Sequence, residues 1–455
     1  MNDMRTGDRH SLVVVCGLDF DTTRRTAATL LAPTTVVVEY DLSALALGHI
    51  RRVVRTVDAD GLPSVRYTDV ALEHGCVSCA LRLDLLPLLP LLPLLRSMRT
   101  WSGVERIVLA LHPMIEPEPL SWAITNTMVV GVPGRVDAPA GRDVRLDAVI
   151  ACLDMRRWLS DATGDQTLSE AGISEIDDER TLAQVVVGHV EFADALVLTG
   201  VADTAQESQA WESRGWEMAR TCAVLRRVAP LAPVLYERAD RTLTAGRIAQ
   251  LLAAIPDGSR RGRVFGAHDP LLSGQPPLDD DCGVQIVEFS ADRPFHPERL
   301  HTAIDSLLDG VVCARGRLWV ATRPDEALWL ESAGEALRIA DGGDWLAAMT
   351  PAERDEVAAV DPERVAMASL RWDPVHGDRH TALVAVAHRA DPAHIQDELR
   401  AACLTDAEYA AGPALWNTWS DPFGHEHVDP CVDSQQERDG TAPATHEPTT
   451  RKDAP

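Results

Sequence analysis

Ser11-Leu-Val-Val-Val-Cys-Gly17, followed by Thr22-Thr-Arg-Arg-Thr-Ala-Ala-Thr-Leu-Leu31, decides the fold. The first run is apolar, rich in β-branched side chains and closed by a glycine, which predicts a buried strand ending in a turn. The second predicts a helix. Strand, loop, helix is the setting of a phosphate-binding loop, with the helix N-terminus aimed at an anion. The chemistry of such a loop is missing. Counted from Gly17, the second glycine of G-x-x-x-x-G-K-[ST] falls on Thr22, the lysine on Thr23 and the Mg²⁺-binding hydroxyl on Arg24. Asp19 and Asp21 put negative charge where phosphates would lie, and Arg24 and Arg25 offset it only in part. Gly17, Thr22, Thr23 and Arg24 are therefore the positions a nucleotide would contact, in a loop poorly suited to a triphosphate.

Downstream the chain alternates. Strands are expected at Thr35–Tyr40, Glu105–His112, Asp147–Leu153, Ala195–Thr199 and Pro233–Tyr236, with helices at Thr181–Asp194 and Ala210–Val228. This predicts an α/β domain with a mostly parallel sheet and helices on both faces. Ser160–Arg180 is polar and reads as a long surface loop. Asp84–Leu95 conflicts with itself: its leucines ask for burial, while Pro90 and Pro93 would each cost about 3 kcal/mol in a helix interior. A kinked helix or a short polyproline-like segment resolves the conflict. Residues 256–282 are rich in Gly, Pro, Asp and Arg and predict a linker. Beyond them come a strand at Gly283–Ser290, a helix at Pro297–Leu308, strands at Arg317–Ala321, Glu326–Leu330 and Thr381–Ala387, and a helix at Asp391–Leu404. That order predicts a smaller α+β domain with an antiparallel sheet. Trp319, Trp329 and Trp372 read as core or interface aromatics. The expected boundaries are 11–255, 256–282, 283–431 and a disordered tail at 432–455.

In Leu72-Glu-His-Gly-Cys-Val-Ser-Cys-Ala-Leu-Arg-Leu-Asp-Leu-Leu86, Cys76 and Cys79 stand three apart, a spacing that lets two sulfurs face one tetrahedral metal. The sequence has no second Cys-x-x-Cys, so a closed four-sulfur site is not expected, and any metal site borrows ligands. Glu39, at the carboxyl end of the second strand, is a candidate oxygen ligand beside Cys76 and Cys79, because ligands gather at such strand ends. Two small core thiols and a solvated carboxylate are the alternatives. His112 is a further candidate ligand or a strand-end core histidine. His425, His427 and Cys431 are close enough to converge, although mobile ends are seldom organised sites.

The 455 residues are ordinary in composition, 45% hydrophobic and 25% charged, but the formal charge is −26. That balance argues against a broad grip on nucleic acid, which needs clustered Lys and Arg. It suits docking to a basic protein. Arg260-Arg261-Gly262-Arg263 is one short basic run, ordinarily a solvated loop. Nine scattered cysteines, a polar amino end and no apolar run of about 18 residues predict a cytoplasmic protein without a membrane span.

Gly75-Cys-Val-Ser-Cys-Ala-Leu-Arg-Leu-Asp-Leu-Leu86 resembles the G-C-x-C-C-x-L-R-x-D-L motif of the CobW-like P-loop GTPases. Arg293-Pro-Phe-His-Pro-Glu-Arg-Leu300, Gly316-Arg-Leu-Trp319, Asp373–Glu408 and Asp421-Pro-Phe423 resemble the carboxy-terminal domain of that family, and the likeness runs from Ser11 to about Pro430. The resemblance implies a P-loop fold, GTP and a transition metal such as zinc. This chain departs from it at four positions. Ser78 replaces the middle cysteine, Thr23 the Walker A lysine and Ala110 the acidic strand-end residue, while Thr199-Gly-Val-Ala202 replaces the N-K-x-D base reader. Without those groups, transition-state charge has nothing positioned to stabilise it, so a pseudo-GTPase is expected.

Gly75–Cys79, Ala193–Thr199, Arg293–His301 and Arg315–Trp319 are similar to an actinobacterial branch of the family. Members of that branch recruit a ribosome hibernation factor of the protein Y type during zinc starvation. The resemblance implies a zinc-responsive interaction protein whose partners are that factor and the small ribosomal subunit. A GTP-dependent metallochaperone is the alternative.

Overall fold

The computed structural model describes residues 9–58, 60–72, 76–92, 103–201 and 210–423. Its larger sheet is built from β1 (His10–Cys16), β2 (Thr35–Asp41), β3 (His49–Val57), β4 (Pro63–Ala71), β5 (Arg106–Ala110), β8 (Val144–Asp154), β9 (Ala195–Thr199) and β10 (Val234–Tyr236). A separate pair, β6 (Met128–Val129) and β7 (Ala138–Pro139), stands apart from it. The order is β10-β9-β8-β1-β5-β2-β3-β4. The six strands from β10 to β2 run parallel, and β3 and β4 extend the sheet as an antiparallel hairpin.

Alternation along β1 sends Val13 and Val15 to one face of the sheet and Leu12 and Val14 to the other. The first face packs on Ala27 of α1 (Phe20–Ala28) and on Ile248 and Leu251 of the later α8 (Ala245–Ala253). On the second face lie α3 (Leu86–Leu91), α4 (Pro117–Asn126), α6 (Leu182–Glu191) and α7 (Ala210–Val228). With both faces covered, β1 carries a continuous apolar run, as parallel strands do. α6 starts where its sequence dictates: Thr181 and Gln184 form a reciprocal capping box.

The proline-rich stretch takes the helical alternative. Cys76 leads into α2 (Val77–Ala80), a widened π turn covers Leu81–Leu85, and α3 continues with Pro90 inside it. Leu86 and Leu89 are fully buried, so core packing offsets the lost amide hydrogen bonds. Residues 160–180 are not simply a surface loop. α5 (Trp158–Ala162) opens the stretch, and Leu168 is fully buried against Leu182 and Val185, with Ala171 and Ile173 beside them. A few apolar anchors set wide apart escape a reading based on average polarity.

Residues 256–282 contain no helix or strand and lead to the second sheet, ordered β11-β15-β12-β13-β14 and antiparallel throughout. Its strands are β11 (Gln285–Ala291), β12 (Val311–Val320), β13 (Arg323–Ala333), β14 (Ala336–Asp344) and β15 (Thr381–Ala387). One face is sealed by α9 (Pro297–Ala303) and α12 (Pro392–Ala402) over Leu300, Leu318, Leu383 and Leu399. The helices α10 (Pro351–Val360) and α11 (Pro362–Arg371) bury no residue. Among the described residues, no helix is long and apolar enough to cross a membrane. The expected tail at 432–455 lies outside the described residues, as do His425, His427 and Cys431.

Candidate functional site

The carboxyl ends of β1, β2, β5, β8 and β9 meet at one edge of the larger sheet, the position where ligands bind in open parallel folds. Gly17 closes β1 against β8: a Cβ there would stand 2.5 Å from the Cys152 carbonyl oxygen. Asp19 then caps α1. Its carboxylate accepts from the Asp21 amide at 3.2 Å and the Thr22 hydroxyl at 2.5 Å. The Thr23 hydroxyl donates to the Asp19 carbonyl at 3.1 Å. The helix end that could receive a phosphate thus already holds the chain's own carboxylate, drawn there by the same amides and dipole.

The cleft beside this loop is about 480 Å³, and Asp19, Asp21, Asp154, Asp161 and Arg157 are the charged groups lining it. Asp154 is bound by Arg156 at 2.7 Å and Asp161 by Arg157 at 2.9 Å. The Arg156 hydrogen bonds hold the Asp154 carboxyl below its ordinary range. Arg25 reaches Glu237 at 3.3 Å. The whole sequence contains one lysine, Lys452 near its end, so no lysine of the folded domains can stand in for the one missing at Thr23. At the base-reader position, the Thr199 hydroxyl donates to the Leu153 carbonyl at 3.2 Å. A Cβ on Gly200 would meet Asp154 Oδ1, and Ala202 lies outside the described residues.

Arg24 turns from the loop toward β2. Its Nε and Nη2 donate to Glu39 at 3.0 and 3.1 Å, and Arg55 of β3 donates to the same carboxylate at 2.6 Å. Glu39 is buried, and that hydrogen bonding raises the Arg24 pKa. Both carboxylate oxygens are therefore occupied by guanidiniums, and a metal would have to displace them. Ala110 is buried beside Glu39 in the sheet register.

His112 follows β5 on the rim of a cavity of about 410 Å³ that Glu39, Arg24 and Arg55 also line. Its Nδ1 accepts from the Met114 amide at 3.3 Å, and its ring meets Phe20 edge-on at 5.2 Å. Burial pushes its pKa down to about 4, so the ring is neutral.

Cys76 is half-buried just before α2, while the side chain of Cys79 lies outside the described residues. Among the described residues, no group of three His, Cys, Asp or Glu side chains converges as a metal site. The chemistry of a thiol pair suits zinc, but Glu39 and His112 do not complete a ligand set with Cys76 in this arrangement.

One anchor of the thiol segment is less evident from sequence. Asp84 accepts from the Tyr40 hydroxyl at 2.6 Å and from Arg52 at 2.5 Å, tying the stretch after Cys79 to β2 and β3. Burial, and next the Asp84 charge, raise the Tyr40 pKa well above its ordinary value. Asp84 stands within the motif around the cysteines, whereas Arg52 and Arg55 belong to a hairpin that the alternating-fold reading passed over.

The comparisons with known proteins agree with this architecture. The model of the cobalamin synthesis protein cobW C-terminal domain matches residues 284–403. A zinc chaperone of Mycobacterium tuberculosis, Rv0106, is 46% identical over 426 residues, covering 93% of this chain and 95% of that protein. The chain belongs to the CobW-like family of P-loop GTPases.

An uncharacterized protein of Mycobacterium bovis, Mb0109, aligns with this CobW-family chain at the same identity and extent. Zinc-regulated GTPase metalloprotein activator 1 of Dictyostelium discoideum is 24% identical over 360 residues, covering 78% of this chain and 70% of its own. Among solved structures, the zinc(II)-bound YjiA GTPase from E. coli is 15% identical with a TM-score of 0.33, covering 87% of this chain and 99% of that one.

Proposed function

We propose that this CobW-family protein works by contact rather than by hydrolysing GTP, recruiting a protein Y-type ribosome hibernation factor to the small ribosomal subunit in response to zinc. The observation that carries the loss of hydrolysis is Asp19 at the start of α1. Its carboxylate takes the amide and hydroxyl that would otherwise meet a phosphate, in a cleft with four aspartates and no lysine. A triphosphate entering there meets like charge and finds neither the Walker lysine nor a metal-holding carboxylate on β5. The partners follow from the sequence resemblance to the hibernation-factor branch. They agree with a formal charge of −26, because ribosomal proteins and factors that bind ribosomal RNA are basic. Zinc enters through the names of the relatives and the thiol pair Cys76 and Cys79, which would hold it.

The test is affinity capture of the full chain from zinc-limited cells. Co-purification of the hibernation factor with small ribosomal subunits is expected, and absence of both overturns the recruiting role.

A second reading, a GTP-dependent zinc chaperone, draws on the name of the relative that is 46% identical. Calorimetry with Mg²⁺ and GTP separates the two. Tight binding with turnover, abolished by Gly17→Ala in a variant that stays folded, would favour delivery of zinc over recruitment.

A further inference from the structure

The second face of the antiparallel sheet, opposite α9 and α12, carries a cavity of about 530 Å³. Its floor is β11, β12 and β15, one wall is linker residues 268–272, and the other is α11. From this cavity we infer a second ligand site, for a small organic oxyanion, either a phosphate ester or a carboxylate, that carries a planar apolar body. The inference is independent of the recruiting role and of the P-loop cleft.

Three guanidiniums converge there, from Arg317, Arg364 and Arg371. Arg317 is only 9% exposed. Its Nε donates to His380 Nε2 at 2.9 Å, and its Nη1 donates to the carbonyls of Ala267 at 2.9 Å and Asp269 at 3.1 Å. Among the described residues no carboxylate hydrogen-bonds it, and its Nη2 has no partner. Because the guanidinium can only donate, His380 Nε2 must accept, which leaves Nδ1–H to donate to the Asp378 carbonyl at 2.8 Å. His380 is therefore neutral and braces Arg317 without cancelling its charge.

Neither carboxylate in the lining, Asp378 or Glu288, hydrogen-bonds this group, although the Asp378 charge acts on it from a distance. Asp378 spends both oxygens on the amides of Leu346 and Ala347, at 3.0 and 2.9 Å. Glu288 lies exposed on edge strand β11. Arg371 is exposed and, among the described residues, makes no hydrogen bond or ion pair. The Nε of Arg364 and the Nε2 of His268 are buried without a partner. A buried cation that reaches no carboxylate directly is only partly compensated by the more distant charges of Asp269 and Asp378, so its retention in a cavity points to a ligand that supplies a direct anionic contact.

The rest of the lining is apolar. Leu271, Leu272 and Met367 face the same space, and Trp345 lies behind it, flanked by the rings of His268 at 5.5 Å and His380 at 5.7 Å. A cationic end facing an apolar wall, in a volume suited to a metabolite, defines the ligand: charge toward Arg317 and Arg371, body toward Leu272 and Met367. A bare inorganic anion would leave that wall wet.

Calorimetry of the full chain with 1-naphthyl phosphate and with 1-naphthoate tests the site. Saturable binding of at least one probe is expected, and the stronger of the two tells phosphate from carboxylate. Inorganic phosphate alone should bind at least tenfold more weakly. Arg371→Glu should weaken binding at least tenfold with an unchanged melting temperature, since that side chain is exposed and unpaired. Ala368→Trp, which fills the cavity from α11, should abolish binding. Arg25→Gln, at the P-loop cleft, should leave it unchanged. Failure of both probes to saturate, or binding indifferent to both Arg371→Glu and Ala368→Trp, overturns the inference.

Discussion

Replacing Glu39 should cost far more than its place at a strand end suggests. The Glu39 side chain is 4% exposed and those of Arg24 and Arg55 are 42% and 30% exposed. Glu39→Gln removes the one carboxylate that pairs with these guanidiniums among the described residues and leaves them facing one another. Breaking a fully buried pair costs about 3–5 kcal/mol. Here both cations keep contact with water, which lowers the expectation to about 2–3 kcal/mol. Arg24→Met should cost only about 1 kcal/mol, because the 2.6 Å bond from Arg55 still satisfies the carboxylate. For a domain of this size, Glu39→Gln should lower the melting temperature by about 4–12 °C. Urea unfolding followed by circular dichroism, on the two single variants and the double variant, measures the coupling, expected at about 1 kcal/mol. If Glu39→Gln costs less than Arg24→Met, or less than about 0.5 kcal/mol, the carboxylate is not the hub described above.

Other expectations follow from particular contacts. Gly17→Ala should destabilise by about 2–4 kcal/mol in urea unfolding, since its Cβ would lie 2.5 Å from the Cys152 carbonyl oxygen, a backbone atom that cannot swing away. His189 is fully buried, neither of its ring nitrogens has a partner among the described residues, and burial pushes its pKa down to about 4. The unfolded ring takes up a proton near pH 6.5 and the folded one does not, so this residue's contribution falls as pH drops from about 6.5 towards about 4. His189→Leu should therefore stabilise by about 1–2 kcal/mol at pH 7.5 and by more at pH 5, as read from urea midpoints at the two pH values. Asp84→Ala strands Arg52 and the Tyr40 hydroxyl, and a loss of about 3 kcal/mol is expected in the same assay. In protein purified from zinc-replete medium, Cys76→Ser with Cys79→Ser should reduce bound zinc by at least fivefold, measured by atomic absorption against total protein.

The opening strand, its glycine and the helix after it were legible because a parallel strand buried on both faces leaves an uninterrupted apolar run, as β1 does. The departures at Thr22, Thr23 and Arg24 were equally legible, since a phosphate loop is defined by residue types at fixed spacing. The β3–β4 hairpin was not. Arg51, Arg52 and Arg55 interrupt its apolar residues; Arg51 pairs with Asp69 across the hairpin, but Arg52 and Arg55 are accounted for by Asp84 and Glu39 from elsewhere in the chain. The anchors Leu168 and Ile173 were hidden for a similar reason: single apolar residues in a polar stretch reveal nothing until a surface such as α6 lies beneath them.

By itself the sequence determined the two-domain α/β and α+β plan, the missing phosphate chemistry and the pairing in sequence of Cys76 with Cys79. These depend on local pattern, spacing and residue type. Only the tertiary structure decided that Arg24 turns from the phosphate loop to Glu39, that Asp19 caps the helix beside the cleft, and that Arg317 stands in a cavity without a carboxylate hydrogen-bonded to it. A charged side chain has several partners within reach of its flexible stem. Which of them it meets is settled by how distant strands and helices pack, and no short window of sequence records that choice.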